Sequence, residues 1–296
     1  MTCEICGGGQ SAIHQTREMM LGLGDRFDYS ECLECGRLRL LNPPSDLSRY
    51  YPSDYYSFAP RGAWGTLKTF LYRVAPLRAL LAAVHPVFIL DLIKTLDLRP
   101  SMRILDVGGG NGAMAKELRD SGFKRALCVD RFASEETDYC RRATLSAIDG
   151  RWDVIMFHHS FEHMEDQAGT LAMVKSKLAP GGICLLRIPV VSWAWKRYGV
   201  DWVQLDAPRH ACLHTTRSLE LIAREAGFQI AKTIYDSRDF QFWGSELYRA
   251  EVPLIEGKKD LLRRFGRKQM QSFAIQAKEL NQRGEGDQAA FILRLN

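Results

Sequence analysis

Four of the eight cysteines fall within the first 35 residues, as Cys3-x2-Cys6 and Cys32-x2-Cys35. Two such knuckles, about 25 residues apart, supply four thiolates to one tetrahedral zinc ion. A disulfide pair is the other use of this spacing, and a reducing compartment disfavours it. With every ligand position taken by sulfur, no place remains for an activated water, so the metal is expected to be structural. Cys128, Cys140, Cys184 and Cys212 sit among apolar or helical neighbours and read as small buried side chains.

A second group of residues points to nucleoside binding. Residues 102–107 read as a short buried strand carrying Asp106, and Gly108, Gly110 and Gly112 alternate directly after it. A helix over 113–121 and a strand over 126–130 follow, the strand ending on Asp130, 22 positions beyond Gly108. Glycines in such a turn let backbone approach a ligand, and the terminal carboxylate accepts hydrogen bonds from ribose hydroxyls. Taken alone, this unit fits a dinucleotide or S-adenosylmethionine.

The histidines form a third group. His158, His159 and His163 follow a predicted strand over 152–157, and His210 and His214 lie in the next long loop. In a parallel α/β sheet these five of the seven histidines converge beyond the C-terminal strand ends. An imidazole titrating near neutral pH suits proton removal from an alcohol or phenol. Glu162 is placed to orient an imidazole or cap the next helix. Trp193, Trp195, Tyr198 and Trp202 are expected to wall an acceptor ring or to form a lid over the cofactor.

The elements that must hold these groups alternate strand and helix. A helix with Leu171, Val174 and Leu178 on one face leads into a strand over 183–189. Thr215 or Thr216 caps a helix with Leu219, Ile222, Ala223 and Ala226 on one face, and a strand over 230–235 follows. The third strand is expected over 143–148, with Asp149 as a candidate adenine contact. The last strand is expected at 289–295, which leaves 240–285 as a mostly helical insertion. Residues 66–96 show helical recurrence broken at Pro76 and Pro86, expected as a bridging helical pair, with Arg73 and Arg78 permitting an interfacial membrane helix instead.

As a set, these features resemble the class I S-adenosylmethionine-dependent methyltransferases. Asp106-x-Gly108-x-Gly110-x-Gly112 is similar to their first motif, and the LAPGG of 178–182 running into a strand is similar to a later one. With the cysteine knuckles and the DAPRH segment of 206–210, the chain resembles a zinc-ribbon branch met among enzymes modifying sugars, surface polysaccharides and natural products. The resemblance implies an α/β, Rossmann-like sheet, mostly parallel with an antiparallel last strand, behind a small N-terminal zinc ribbon. It divides the chain into a ribbon (1–58), a helical linker (59–98) and a methyltransferase domain (99–296).

The implied cofactor, S-adenosyl-L-methionine, would be held by Asp106, Gly108, Gly110, Gly112, Asp130 and His158. Structural Zn2+ would be held by Cys3, Cys6, Cys32 and Cys35. The expected reaction is O-methylation of a sugar or other small-molecule hydroxyl, with His159, His163 and His210 as the catalytic residues. His159, Glu162, His163 and His210 also resemble the ExxEH-plus-histidine magnesium site of plant small-RNA 2′-O-methyltransferases. Here His159 replaces the first glutamate, which suits zinc or manganese better. Asn42-Pro43-Pro44 lacks the aromatic residue and the position after a fourth strand that the catalytic loop of amino-methylating enzymes needs, and reads as a turn.

Composition sets outer bounds. Of the 296 residues, 46% are apolar and 25% charged, which excludes a disordered or fibrous chain. A net charge of +5 permits an anionic ligand without indicating nucleic acid. The longest charge-free apolar stretch, 79–90, contains His85 and Pro86 and is too short to span a bilayer. No apolar signal region opens the chain, so the cytoplasm is the expected compartment. An RNA methyltransferase is the main alternative, supported by Lys258, Lys259, Arg263, Arg264, Arg267 and Lys268. Against it, Arg17, Arg26, Arg37 and Arg39 of the ribbon face six acidic residues, Glu4, Glu18, Asp25, Asp28, Glu31 and Glu34. A sugar C-methyltransferase and a non-catalytic binding module are the remaining alternatives, the last disfavoured by the intact loop and Asp130.

Overall fold

The computed structural model describes residues 2–51 and 95–296, so most of the expected linker lies outside the described residues. Among the described residues the chain forms eleven strands: β1 Ser11–Arg17, β2 Arg26–Cys32, β3 Leu38–Leu40, β4 Ile104–Val107, β5 Ala126–Val129, β6 Cys140–Arg141, β7 Trp152–His158, β8 Leu178–Pro189, β9 Cys212–Leu213, β10 Phe228–Tyr235 and β11 Gln288–Leu295. Seven make one sheet in the order β10-β11-β8-β7-β4-β5-β6. β4, β5, β6, β7 and β8 run parallel, whereas β11 is antiparallel to both β8 and β10. The order reverses at β4, so ligand space opens beyond the C-terminal ends of β4 and β7. This is the Rossmann-like, mostly parallel sheet.

Side-chain alternation builds its two faces. Leu105, Ile155, Phe157 and Leu186 pack with Leu171, Val174, Leu219 and Ile222. Ile104, Val154, Met156 and Leu185 pack with Met114 and Leu118 on the other side. Burial of both faces is why these strands are continuous apolar runs rather than alternating ones. The helix Thr216–Glu225 starts where the Thr215 hydroxyl accepts the Ser218 N–H at 3.0 Å. Between β10 and β11 the chain forms the helices Phe240–Arg249, Leu254–Gly257 and Leu261–Gln282, the last kinked at Gly266. No helix among the described residues is long and apolar enough to cross a membrane.

Two expectations are corrected. The third strand is Cys140–Arg141, not 143–148, and Leu145–Ala147 is a 3-10 turn. Cys140 is fully buried and pairs with Cys128, which fixes the strand there. Leu178 ends the helix Gln167–Lys177 by opening β8, which shifts register between Trp152 and Val154 as it passes Pro180, Gly181 and Gly182.

The cysteine-rich segment does not stand apart. β1, β2 and β3 form a four-stranded sheet completed by β9, a strand from the far end of the sequence. Tyr29 donates to the His210 carbonyl at 2.6 Å, and Thr215 to the Cys35 carbonyl at 2.6 Å. Beneath them Arg209, with 0% of its side chain exposed, donates to Glu18 Oε1 at 2.9 Å and to both oxygens of Asp206. Trp195, Tyr198 and Trp202 fill the space between this small sheet and the large one, packed with Tyr29 and Leu38. They are therefore core residues, not walls for a ring or a lid, because their faces are already covered by protein.

His214 is also core. Its ring nitrogens meet Gln167 Oε1 at 2.7 Å and Ser218 Oγ at 3.0 Å, and burial, with the Arg37 charge, pushes its pKa down to about 3.

Arg209→Met leaves two carboxylates without their cation and should lower the free energy of unfolding by about 3–5 kcal/mol, read by urea denaturation. An unchanged midpoint would contradict the role given to Arg209. His214 stays neutral when folded, while the unfolded chain gains its proton below about pH 6.5. Its contribution is thus complete above that pH and is lost as pH falls toward the folded value, with a slope approaching roughly 1.4 kcal/mol per pH unit. The stability of His214→Gln should fall less steeply over the same range, and a slope equal to the parent's would refute the assignment.

Candidate functional site

At the switch point, β4 delivers Asp106 and the glycine turn. Asp106 is 1% exposed, and neither carboxylate oxygen has a hydrogen-bond partner among the described residues. Burial, aided by the Asp130 charge, raises its pKa to about 7. The turn lies against it: a Cβ on Gly109 would stand 2.2 Å from Asp106 Oδ2. Gly110 N–H donates to Asp130 Oδ2 at 2.8 Å, and Phe132 N–H to Oδ1 at 2.8 Å. Asp130 is thereby fixed at the end of β5 with further lone pairs open to hydroxyl donors. Cys128 and Cys140 pack beneath the Gly110 carbonyl.

The segment after β7 abuts this turn. A Cβ on Gly108 would stand 2.6 Å from Ser160 Cβ, so only glycine permits the approach. The Ser160 hydroxyl donates to the Val107 carbonyl at 2.5 Å. Ser160 was not singled out by sequence, since one serine between histidines carries no signal of its own. His159 holds a left-handed φ of 55°, uncommon for a non-glycine residue. That turn directs the next four residues toward the loop carrying Arg209 and His210.

The three predicted catalytic histidines have different surroundings. Arg187 donates to His159 Nε2 at 2.6 Å, so that nitrogen is the acceptor and Nδ1 carries the proton toward Glu162 at 3.3 Å. Both nitrogens of His159 are thus engaged. Arg187 Nη1 also lies 3.1 Å from His158 Nε2, and Nε donates to Asp236 at 2.7 Å. Burial and the neighbouring His159 and Arg187 hold His158 well below the ordinary histidine range.

His163 and His210 face each other with ring centroids 4.8 Å apart. His163 Nδ1 lies 2.8 Å from the Arg209 carbonyl, and His210 Nδ1 lies 2.8 Å from the Gln204 carbonyl. A carbonyl can only accept, so each Nδ1 carries a proton, and in the neutral form of either ring the lone pair is on Nε2. Burial and the proximity of His163 push His210 down to about 4, whereas His163 keeps a half-buried edge. Glu162 is 1% exposed; burial pushes its carboxyl up, but the hydrogen bond from His159 and the three nearby imidazoles outweigh this and leave it at about 2. The Tyr51 hydroxyl reaches His163 Nδ1 at 3.2 Å, a partner 112 positions away.

The four N-terminal thiols form a separate cluster, with their sulfurs within 4.8 Å of one another. Cys3 and Cys35 sulfurs lie 3.7 Å apart, and Cys6 and Cys32 sulfurs 3.5 Å apart. A tetrahedron of about 2.3 Å zinc–sulfur bonds has edges of about 3.8 Å, so the donor set fits a zinc ion and not a disulfide pair. In each knuckle a glycine after the second cysteine donates back to the first, Gly7 to the Cys3 carbonyl and Gly36 to the Cys32 carbonyl.

Residues 81–233, just over half the chain, match a family model described as a methyltransferase domain. An uncharacterized 37.1 kDa protein in transposon TN4556 of Streptomyces fradiae is 27% identical over 172 residues, 48% of each chain. The chain therefore spans about half the length of this curated relative. Solved structures of similar shape include a SAM-dependent methyltransferase from Archaeoglobus fulgidus, 17% identical at a TM-score of 0.45, covering 74% of this chain and 94% of that one. A second, from Thiobacillus denitrificans in complex with S-adenosyl-L-homocysteine, is 15% identical at a TM-score of 0.44, with 86% and 100% covered. The cyclopropane synthase MmaA2 from Mycobacterium tuberculosis is 17% identical at a TM-score of 0.43, with 69% and 83% covered.

Proposed function

The chain belongs to a methyltransferase-domain family, and on that premise we propose that it transfers a methyl group from S-adenosylmethionine to a hydroxyl of a small acceptor, a sugar or natural product. The observation that carries this reading is the contact between Gly108 and Ser160, which sets the nucleoside-binding turn directly against the histidine segment at one end of the sheet.

Asp130 would accept the ribose hydroxyls, the turn from Gly108 to Gly112 would let the cofactor approach the backbone, and Asp106 would support that turn from below. His158 would shape the pocket beside them. When bound, the cofactor supplies a methyl group that is already activated as a sulfonium. The protein's work is then alignment, exclusion of water and removal of the hydroxyl proton. Of the three histidines, His163 is best suited to take that proton: its Nε2 lone pair is open, and its ring is steadied by the Arg209 carbonyl and Tyr51. His210 supports it from the opposite loop. His159 serves as a positioning residue, because Arg187 and Glu162 occupy both of its nitrogens.

The cysteine cluster is proposed to hold a structural zinc that fixes the small sheet against the loop of His210. A small acceptor is favoured over RNA by the ribbon's own charges. Arg37 and Arg39 pair with Glu4, Arg17 with Asp201 and Glu251, and Arg49 with Asp25, which occupies them within the fold.

Two experiments test the reading. Asp130→Ala should weaken S-adenosylhomocysteine binding by about one to two decades in calorimetry, from the loss of roughly 1.5–3 kcal/mol; unchanged affinity would refute the cofactor assignment. His163→Gln should lower kcat by roughly 10²–10⁴ while cofactor affinity persists. An equal or larger loss from His159→Gln with His163→Gln unaffected would reverse the two roles.

A further inference from the structure

We propose that Glu162, His163 and His210 form a binding site for a divalent transition-metal ion, separate from the thiolate cluster. One nitrogen of each imidazole and one oxygen of the carboxylate lie within 4.8 Å of one another. The hydrogen bonds around them prepare these atoms for a cation. Each Nδ1–H is held by a backbone carbonyl, of Arg209 or Gln204, which leaves both Nε2 atoms as bases. Glu162 Oε2 is buried and has no hydrogen-bond partner among the described residues, while Oε1 is held by His159. Each neutral ring thus has a nitrogen without a proton, next to a carboxylate with one unpartnered oxygen among the described residues, and Asp206 Oδ2, 3.9 Å from His210 Nε2, adds negative charge beside them. An unpaired buried carboxylate oxygen is costly unless a positive group satisfies it.

Two imidazoles and one carboxylate are a donor set for zinc, manganese or iron, and they leave further coordination positions open. Magnesium is disfavoured, because it takes oxygen ligands and keeps its waters. His159 is not in the set. Arg187 takes its Nε2, and its other nitrogen serves the carboxylate, so it acts behind the ligand rather than as one. Ligand-holding groups of this kind are the usual second layer of a metal site.

The existence of the site does not rest on methyl transfer, but its role does. Beside the acceptor, an ion held on these nitrogens would replace His163 as the base: it would lower the pKa of a hydroxyl brought to it, whose proton would pass to solvent water while both imidazoles stay ligands.

The test uses the full chain with its thiolates already loaded with Zn2+. Co2+ is then titrated in and followed by calorimetry and visible absorption. The expected result is one further ion per chain, giving weak ligand-field bands without new thiolate charge-transfer absorption. Glu162→Gln, His163→Gln and His210→Gln should each weaken it by at least about 10- to 100-fold, with folding verified by circular dichroism and the thiolate ion retained. Absence of a second ion would overturn the site. So would a second ion whose affinity is unchanged in all three variants. Either result, with S-adenosylhomocysteine binding intact, would leave the methyl-transfer reading standing.

Discussion

A buried cation sits where the two sheets meet, and much of the candidate site depends on it. The Arg209 side chain, 0% exposed, is met by Asp206, three positions back, and by Glu18 from the N-terminal segment. Its Nη1 donates to the Tyr50 carbonyl at 3.2 Å. Glu18 is itself fixed by the Leu21 and Leu23 N–H groups. A guanidinium out of water is tolerated only when such partners compensate it. Through it, a loop of the large sheet, the turn after β1 and the segment after β3 are held in one arrangement.

That arrangement has chemical consequences because Arg209 and His210 are neighbours. The Arg209 carbonyl sets the tautomer of His163, and the loop backbone at Gln204 sets that of His210. Tyr29 holds the His210 carbonyl from the small sheet, and Tyr51 reaches His163 from beyond it. The N-terminal segment therefore acts as scaffold for the loop that carries His210. A zinc ion between its knuckles would stiffen that scaffold without touching the acceptor.

The central sheet was legible because its signals are local. Apolar runs, a glycine turn and acids at strand ends are all readable within a few residues, and β4, β5, β7 and β8 lie close to where those signals put them. The third strand was not, since two residues carry no periodicity and only the burial of Cys140 against Cys128 decides the position. Trp195, Tyr198 and Trp202 have a type and spacing equally suited to a ring-binding wall and to a core, and the choice depends on what covers them. Contacts such as Glu18 with Arg209, 191 positions apart, leave no trace in either neighbourhood. Nor does residue type tell three clustered histidines apart. The difference lies in whether Arg187 or a carbonyl meets each ring.

We propose that the glycine turn and His163 together serve the transfer of a methyl group onto a small hydroxyl. The decisive experiment incubates the full chain with methyl-labelled S-adenosylmethionine and parallel pools of fractionated sugar nucleotides, other small metabolites and RNA. Label is expected on oxygen in a small-molecule fraction, and none there with His163→Gln. Label in the RNA pool instead, or on a carbon or nitrogen of the acceptor, would contradict it.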